Sequence, residues 1–154
     1  MLDIDDKAYE FNLPNQNNEN ISLTALKDKK IVLYFYPKDN TPGCTKQAVG
    51  FSELKEEFEQ LNTTIIGISQ DSCSSHANFI KKHNLTIDLV SDPEKIAIQA
   101  FGVWQEKINF GKKYMGISRT TFIIDETGKI LKRWKNVKVD GHANKVLEFI
   151  KKAN

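Results

Sequence analysis

The run KKIVLYFYPK, residues 29–38, constrains what this chain can fold into more than any other feature. From Ile31 to Tyr36 every side chain is apolar, β-branched or aromatic, and no polar residue alternates with them. A strand with one wet face alternates; a strand covered on both faces does not. The run therefore predicts a central strand with material packed above and below it, closed by Pro37. TTIIGIS, residues 63–69, repeats the pattern. Between the two, Ala48, Phe51, Leu54, Phe58 and Leu61 recur at three- and four-residue steps with Glu and Lys outside. That spacing predicts a helix from about Cys44 to Leu61.

The same reading extends along the chain. Asp71 or Ser72 is placed to cap a helix over 74–83, with Ala77, Phe79 and Ile80 turned inward. TIDLVSDP reads as a short strand and a Pro-marked turn, followed by a helix from Glu94 to about Phe101. RTTFIIDETGKILKRW reads as a hairpin turning at Glu126, Thr127 and Gly128. A last amphipathic helix runs from about His142 to Lys152, with Val146, Leu147 and Ile150 toward the core. Upstream, NLPNQNNENIS is a polar turn between strands Tyr9–Leu13 and Ile21–Leu23. Together these elements predict an α/β fold: a central mixed β-sheet with helices on both faces.

Composition limits the function classes. A chain of 154 residues is expected to be one domain, 1–154, large enough to bury a core. With 22 basic against 20 acidic side chains the net charge is +2, which gives no case for nucleic acid or an anionic membrane as the main partner. No apolar run approaches the ~20 residues of a membrane span. MLDIDDKAYEF has the features of no secretory signal. Two cysteines make no disulfide framework, so the expected setting is a reducing cytoplasm. No C-x-x-C is present, which argues against dithiol–disulfide exchange.

Of the two cysteines, Cys44 has the more suggestive surroundings. The loop from Pro37 leaves the carboxyl end of the first buried strand, where open sheets of this kind bind ligands. TPGC then opens the helix. A thiol reacts as its thiolate, and the unpaired N–H groups of a helix's first turn stabilise an anion. Arg119, at the start of the penultimate strand, is the candidate cation. A lone cysteine is also commonly a small buried hydrophobe. A core cysteine, however, has no need of the rigid turn made by Pro37, Thr41, Pro42 and Gly43. Thr41 is readable either as an N-cap or as a hydroxyl facing the same pocket.

YFYPKDNTPGCT resembles the peroxiredoxin signature, in which Pro, Thr and the peroxidatic Cys stand as Pro37, Thr41 and Cys44 do here. The wording YPKD, TPGCT and Gly50-Phe51 is similar to the bacterioferritin comigratory, or Q-type, subgroup. ISLTALKDKKIVLYFYP, GISQDSCSSHANFIKKHNL and GISRTTFIIDETGKI extend the likeness in order over nearly the whole chain. The resemblance implies a thioredoxin-like fold and reduction of hydrogen peroxide or organic hydroperoxides by Cys44, which becomes a sulfenic acid. It implies that Arg119 binds the peroxide and favours the thiolate, and that Thr41 orients the peroxide. It gives the N–H groups of Gly43 and Cys44 as further donors and has Pro37 shield the site. It implies no metal and no organic cofactor, a thioredoxin or other thiol as reductant, and commonly a monomer.

The pattern breaks at the resolving cysteine, which many members carry five positions on, where this chain has Val49. Gln47 replaces a glutamate common in the subgroup, and the other known resolving position matches Ile80. Three readings stay open for the second thiol. Cys73 resolves the sulfenate after local unwinding; or the cycle uses one cysteine and an external thiol, with Cys73 a bystander; or the disulfide is intermolecular. A function of a different class, a peroxide-responsive regulatory protein, also stays open because an unresolved sulfenate persists.

Other features carry less. Cys73 and His76 form C-x-x-H, half a zinc site without a second close pair, and are expected on the helix surface. Trp104, in AFGVWQEKINFGKKYMGISR, is expected either near the mouth of the site, against an alkyl hydroperoxide or a partner protein, or in core or rim packing. The lysine pairs at 29–30, 81–82 and 112–113 read as solvated faces.

Overall fold

The computed structural model describes residues 1–26 and 28–153, so Lys27 and the final position of the expected 1–154 domain lie outside the described residues. The two apolar runs are adjacent parallel strands, β3 (Lys30–Phe35) and β4 (Thr63–Ser69), paired from Lys30–Thr63 to Phe35–Ile68. β5 (Asp88–Ser91) extends the sheet in parallel beyond β4. On the other side, β8 (Thr120–Ile124) and β9 (Ile130–Trp134) add antiparallel, giving the order β5-β4-β3-β8-β9. The β8–β9 turn falls on Thr127 and Gly128 as expected, with Gly128 at φ +91° and the Asp125 carboxylate accepting the N–H groups of Thr127 and Lys129.

Side chains alternate above and below β3 into two cores. Val32, Tyr34 and Tyr36 face one, with α1 (Pro42–Glu53), α2 (Lys55–Gln60), α3 (Cys73–His83) and α5 (His142–Ala153) supplying Phe51, Phe58, Phe79 and Val146. Ile31, Leu33 and Phe35 face the other, against Ala97 and Ile98 of α4 (Ile96–Ala100) and against Phe101 and Phe122. The mixed sheet with helices on both faces is thus the observed architecture, with most helices on the Cys44 side.

Several boundaries differ from the sequence reading. The helix expected over 44–61 is broken at Leu54, whose N–H reaches back only three residues to the Phe51 carbonyl, while the Ser52 carbonyl accepts from the Thr86 hydroxyl. The helix expected from Glu94 begins at Ile96, because Lys95 is left-handed (φ +62°) and Asp92 accepts the N–H groups of Ile96 and Ile98. The strands expected at 9–13 and 21–23 are the shorter pair β1 (Asn12–Pro14) and β2 (Asn20–Ser22). Upstream of β1 the chain instead follows the β8–β9 turn, with the Ala8 N–H on the Gly128 carbonyl.

The stretch around Trp104 forms a separate antiparallel hairpin, β6 (Trp104–Asn109) and β7 (Lys112–Ile117), which periodicity did not reveal. Its strands alternate weakly, and its turn, Phe110-Gly111, has positive φ at both positions. Lys30 is also not solvated: it is buried and bridges to Glu126 at 3.2 Å.

Candidate active site

The loop from Pro37 to Thr41 leaves the carboxyl end of β3 and turns sharply at Asn40 (φ +62°) into α1. Thr41 is the N-cap by backbone geometry, Pro42 takes the first helical position, and Cys44 falls in the first turn. The Thr41 hydroxyl does not cap the helix; it donates to the Lys38 carbonyl at 2.9 Å. Its oxygen lone pairs therefore remain available, and the first-turn N–H groups of Gly43 and Cys44 lack a side-chain cap. Pro37 is half-buried at the loop's start.

Cys44 is 1% exposed and packs with Ala48 and Tyr34. Arg119, immediately before β8, crosses to it. One guanidinium nitrogen, Nη2, donates to Cys44 Sγ at 3.2 Å, and the other, Nη1, donates to Gln47 Oε1 at 2.7 Å. Cys44 and Gln47 lie three residues apart on one helix face, so a single planar fork spans both. A Cβ at Gly43 would stand 3.3 Å from Nη2, tighter than ordinary contact, so a glycine there gives the guanidinium its room. The sequence-expected residues Pro37, Thr41, Gly43, Cys44 and Arg119 thus belong to one neighbourhood.

Two residues that sequence reading did not single out also bear on it. Lys107, on β6, lines a depression with Ser118, Arg119 and Asn136. Burial, and next the charge of Arg119, lower its pKa, while Cys44 acts in the opposite direction. Its ammonium donates to the Ile117 carbonyl at 2.9 Å. Tyr34 lies in the core beneath Cys44; burial first, then negative charge at Cys44 and Asp39, push its hydroxyl well above the ordinary value. Neither had a sequence signal, because the hairpin that brings Lys107 to Arg119 went unread.

The other thiol stands apart. Cys73 opens α3 and lines a surface depression with Gln16, Asn18, Gln70, Ser91 and Pro93, none of which belongs to the neighbourhood of Cys44. Both thiols are free. The expectation that Cys73 and His76 share the helix surface fails: Ser72 caps α3, and one turn on His76 points inward and is fully buried. Val49 and Ile80, at the usual resolving positions, are partly buried against the core.

Known proteins resemble this chain over nearly its whole length. Residues 4–133 match the AhpC/TSA family. The chain is 46% identical to peroxiredoxin Bcp of Bacillus subtilis, over 97% of this chain and 96% of that one. It is 38% identical to peroxiredoxin Bcp of Xanthomonas campestris, over 98% and 94%. Among solved structures, a cysteine-to-serine mutant of Xylella fastidiosa PrxQ superposes with a TM-score of 0.94 at 38% identity, covering 99% of this chain and 98% of that one. The Xanthomonas campestris bacterioferritin comigratory protein, solved in work on its alkyl peroxide reduction, gives 0.89 at 38%, covering 93% and 91%. The chain therefore belongs to the AhpC/TSA family, within its Bcp/PrxQ peroxiredoxins, and is a thiol-dependent peroxidase of thioredoxin-like fold.

Proposed function

We propose that Cys44 is the peroxidatic thiol and that the enzyme reduces hydrogen peroxide and organic hydroperoxides in a one-cysteine cycle. The observation that carries this is the 3.2 Å contact from Arg119 Nη2 to Cys44 Sγ. A guanidinium donating to sulfur stabilises the thiolate, and the same fork stays in place as negative charge moves onto the peroxide oxygens. The Cys44 thiolate attacks the nearer oxygen and the O–O bond breaks. Sulfur is oxidised to the sulfenic acid, and the departing oxygen leaves as water or an alcohol after taking a proton. Thr41 accepts a hydrogen bond from the peroxide O–H while its own hydroxyl proton stays directed at the Lys38 carbonyl, and the N–H groups of Gly43 and Cys44 face the negative oxygens. Pro37 shields the loop side.

An external thiol, from thioredoxin or another reductant, then attacks the sulfenic sulfur and releases water, and a second thiol returns Cys44 to its reduced state. Cys44 is 1% exposed, too little for a protein thiol to reach its sulfur, so this step requires the Pro42–Gly43–Cys44 turn to open. Val49 and Ile80, standing where resolving cysteines are usual, support the one-cysteine cycle. The working form is proposed to be a monomer in the cytoplasm, acting as one domain; none of the helices described is long and apolar enough to cross a membrane.

Steady-state peroxide consumption with thioredoxin and its reductase tests the reading. Cys44→Ser is expected to abolish turnover and Cys73→Ser to leave it unchanged, with no Cys44–Cys73 disulfide in the oxidised wild type by mass spectrometry. A stoichiometric burst without turnover would sink the peroxidase cycle in favour of a peroxide-responsive protein; an internal disulfide would sink the one-cysteine route.

A further inference from the structure

In the loop from Pro37 to Thr41, Asp39 alone is buried, at 5% exposed. Its carboxyl group has three polar partners. The Tyr36 hydroxyl donates to Oδ1 at 2.6 Å, the Ser75 hydroxyl donates to Oδ2 at 2.8 Å, and His76 Nδ1 stands 2.8 Å from the same Oδ2. The other ring nitrogen, Nε2, is 3.1 Å from the Val90 carbonyl oxygen. A carbonyl only accepts, so Nε2 carries a proton. An ionised Asp39 only accepts, so an ion pair with it places a second proton on Nδ1, which the Tyr36 hydroxyl also approaches at 3.3 Å. His76 is fully buried, so a second ring proton there needs the carboxylate beside it.

Its surroundings suit that state. The carboxylate of Asp71 lies in the same cluster, one of its oxygens within 4.8 Å of an Asp39 carboxylate oxygen and a His76 ring nitrogen. Asp71 Oδ2 accepts from the Asp39 N–H at 2.8 Å and from the Ser69 hydroxyl at 2.7 Å. The remaining titratable group on the cluster, Tyr36, is held protonated, first by burial and then by the charge on its neighbours. Asp39 is thus tied at both side chain and backbone to the β4–α3 corner, just before the loop turns at Asn40 into Thr41 and α1.

We propose that Asp39 and His76 are a buried carboxylate–imidazolium pair that positions the Pro37–Thr41 loop, and through it Thr41 and the start of the Cys44 helix, for attack on the peroxide. The inference rests on Cys44 being the peroxidatic thiol. Both are positioning residues, since neither touches the reacting atoms. An apolar pair of similar volume would serve stability as well or better, whereas a charged pair fixes one geometry. Misplacing a reacting group by about 1 Å costs on the order of 10²-fold in rate.

Two measurements test it. In wild-type protein labelled with ¹⁵N-histidine, His76 is expected to show protons on both ring nitrogens at neutral pH; a single ring N–H overturns the pair. In Asp39→Asn and His76→Gln variants, stopped-flow reaction of Cys44 with hydrogen peroxide is expected to slow by on the order of 10²-fold, while alkylation of Cys44 by iodoacetamide changes little. A merely structural role would loosen the helix start and expose Cys44, so faster alkylation, or an unchanged peroxide rate, overturns positioning. A wild-type Cys44 unreactive toward peroxide would instead overturn the assignment of the thiol itself. The ring-proton result does not depend on that assignment.

Discussion

At Arg119 two nitrogens of one guanidinium are committed to two residues of one helix, Cys44 and Gln47. That geometry requires a planar fork, which a lysine ammonium lacks. Arg119→Lys is therefore expected to keep the charge but lower kcat/KM for peroxide by about 10²-fold, as loss of one preorganised donor does elsewhere, measured by stopped flow. Cys44 and Thr41 were legible as residues because a turn and a signature spacing mark them, and Arg119 because it begins a strand and matches the arginine of the family the chain resembles. Asp39, Tyr36 and His76 were not. Whether a buried polar side chain is satisfied depends on which acceptors the fold brings to it, and the Val90 carbonyl reaches His76 only across the sheet. Read from its own helix, His76 looked like a surface residue; burial of both ring nitrogens against acceptors makes it a core one.

Elements show the same division. β3 and β4 were predictable because an uninterrupted apolar run has few places to go except the middle of a sheet. Their packing leaves one tight spot at Gly67, where a Cβ would stand 2.7 Å from Tyr34 Cζ and 2.9 Å from Leu89 Cδ2. Both neighbours are themselves fully buried, so neither has room to give. Gly67→Ala is expected to destabilise the protein by about 1–3 kcal/mol, read as a lower urea midpoint with little change in slope. The β6–β7 hairpin escaped prediction for the opposite reason. It packs only partly on the core, with Phe110 97% exposed at its tip, so its side chains need not alternate in hydrophobicity. The break at Leu54 was equally invisible, because the apolar spacing runs on through it.

For the molecule as a whole, pH reports on how the β-sheet and α5 close over His142. That ring is 4% exposed, and its Nε2 is 2.9 Å from the Thr121 hydroxyl. Burial first, then the charges of Lys145 and Arg119, lower its pKa from 6.5 to about 4. Between those values the unfolded chain binds a proton that the folded one does not, so stability falls as pH drops from 6.5 toward 4. The full loss below that is roughly 2–4 kcal/mol. Thermal melts at pH 7 and pH 5 are expected to show the decline, and His142→Gln to flatten it. Sequence by itself determined the central strands, the capped start of α3 and the turn that presents Cys44, since each depends on local spacing and propensity, while Arg119 entered through its place at a strand start and the family resemblance. Only the tertiary structure decided how Arg119 divides itself between Cys44 and Gln47, that Lys107 joins them, that Cys73 lies elsewhere, and that His76 is paired with Asp39. Those are contacts between residues distant in the chain, and burial sets their energies only once the sheet has brought them together.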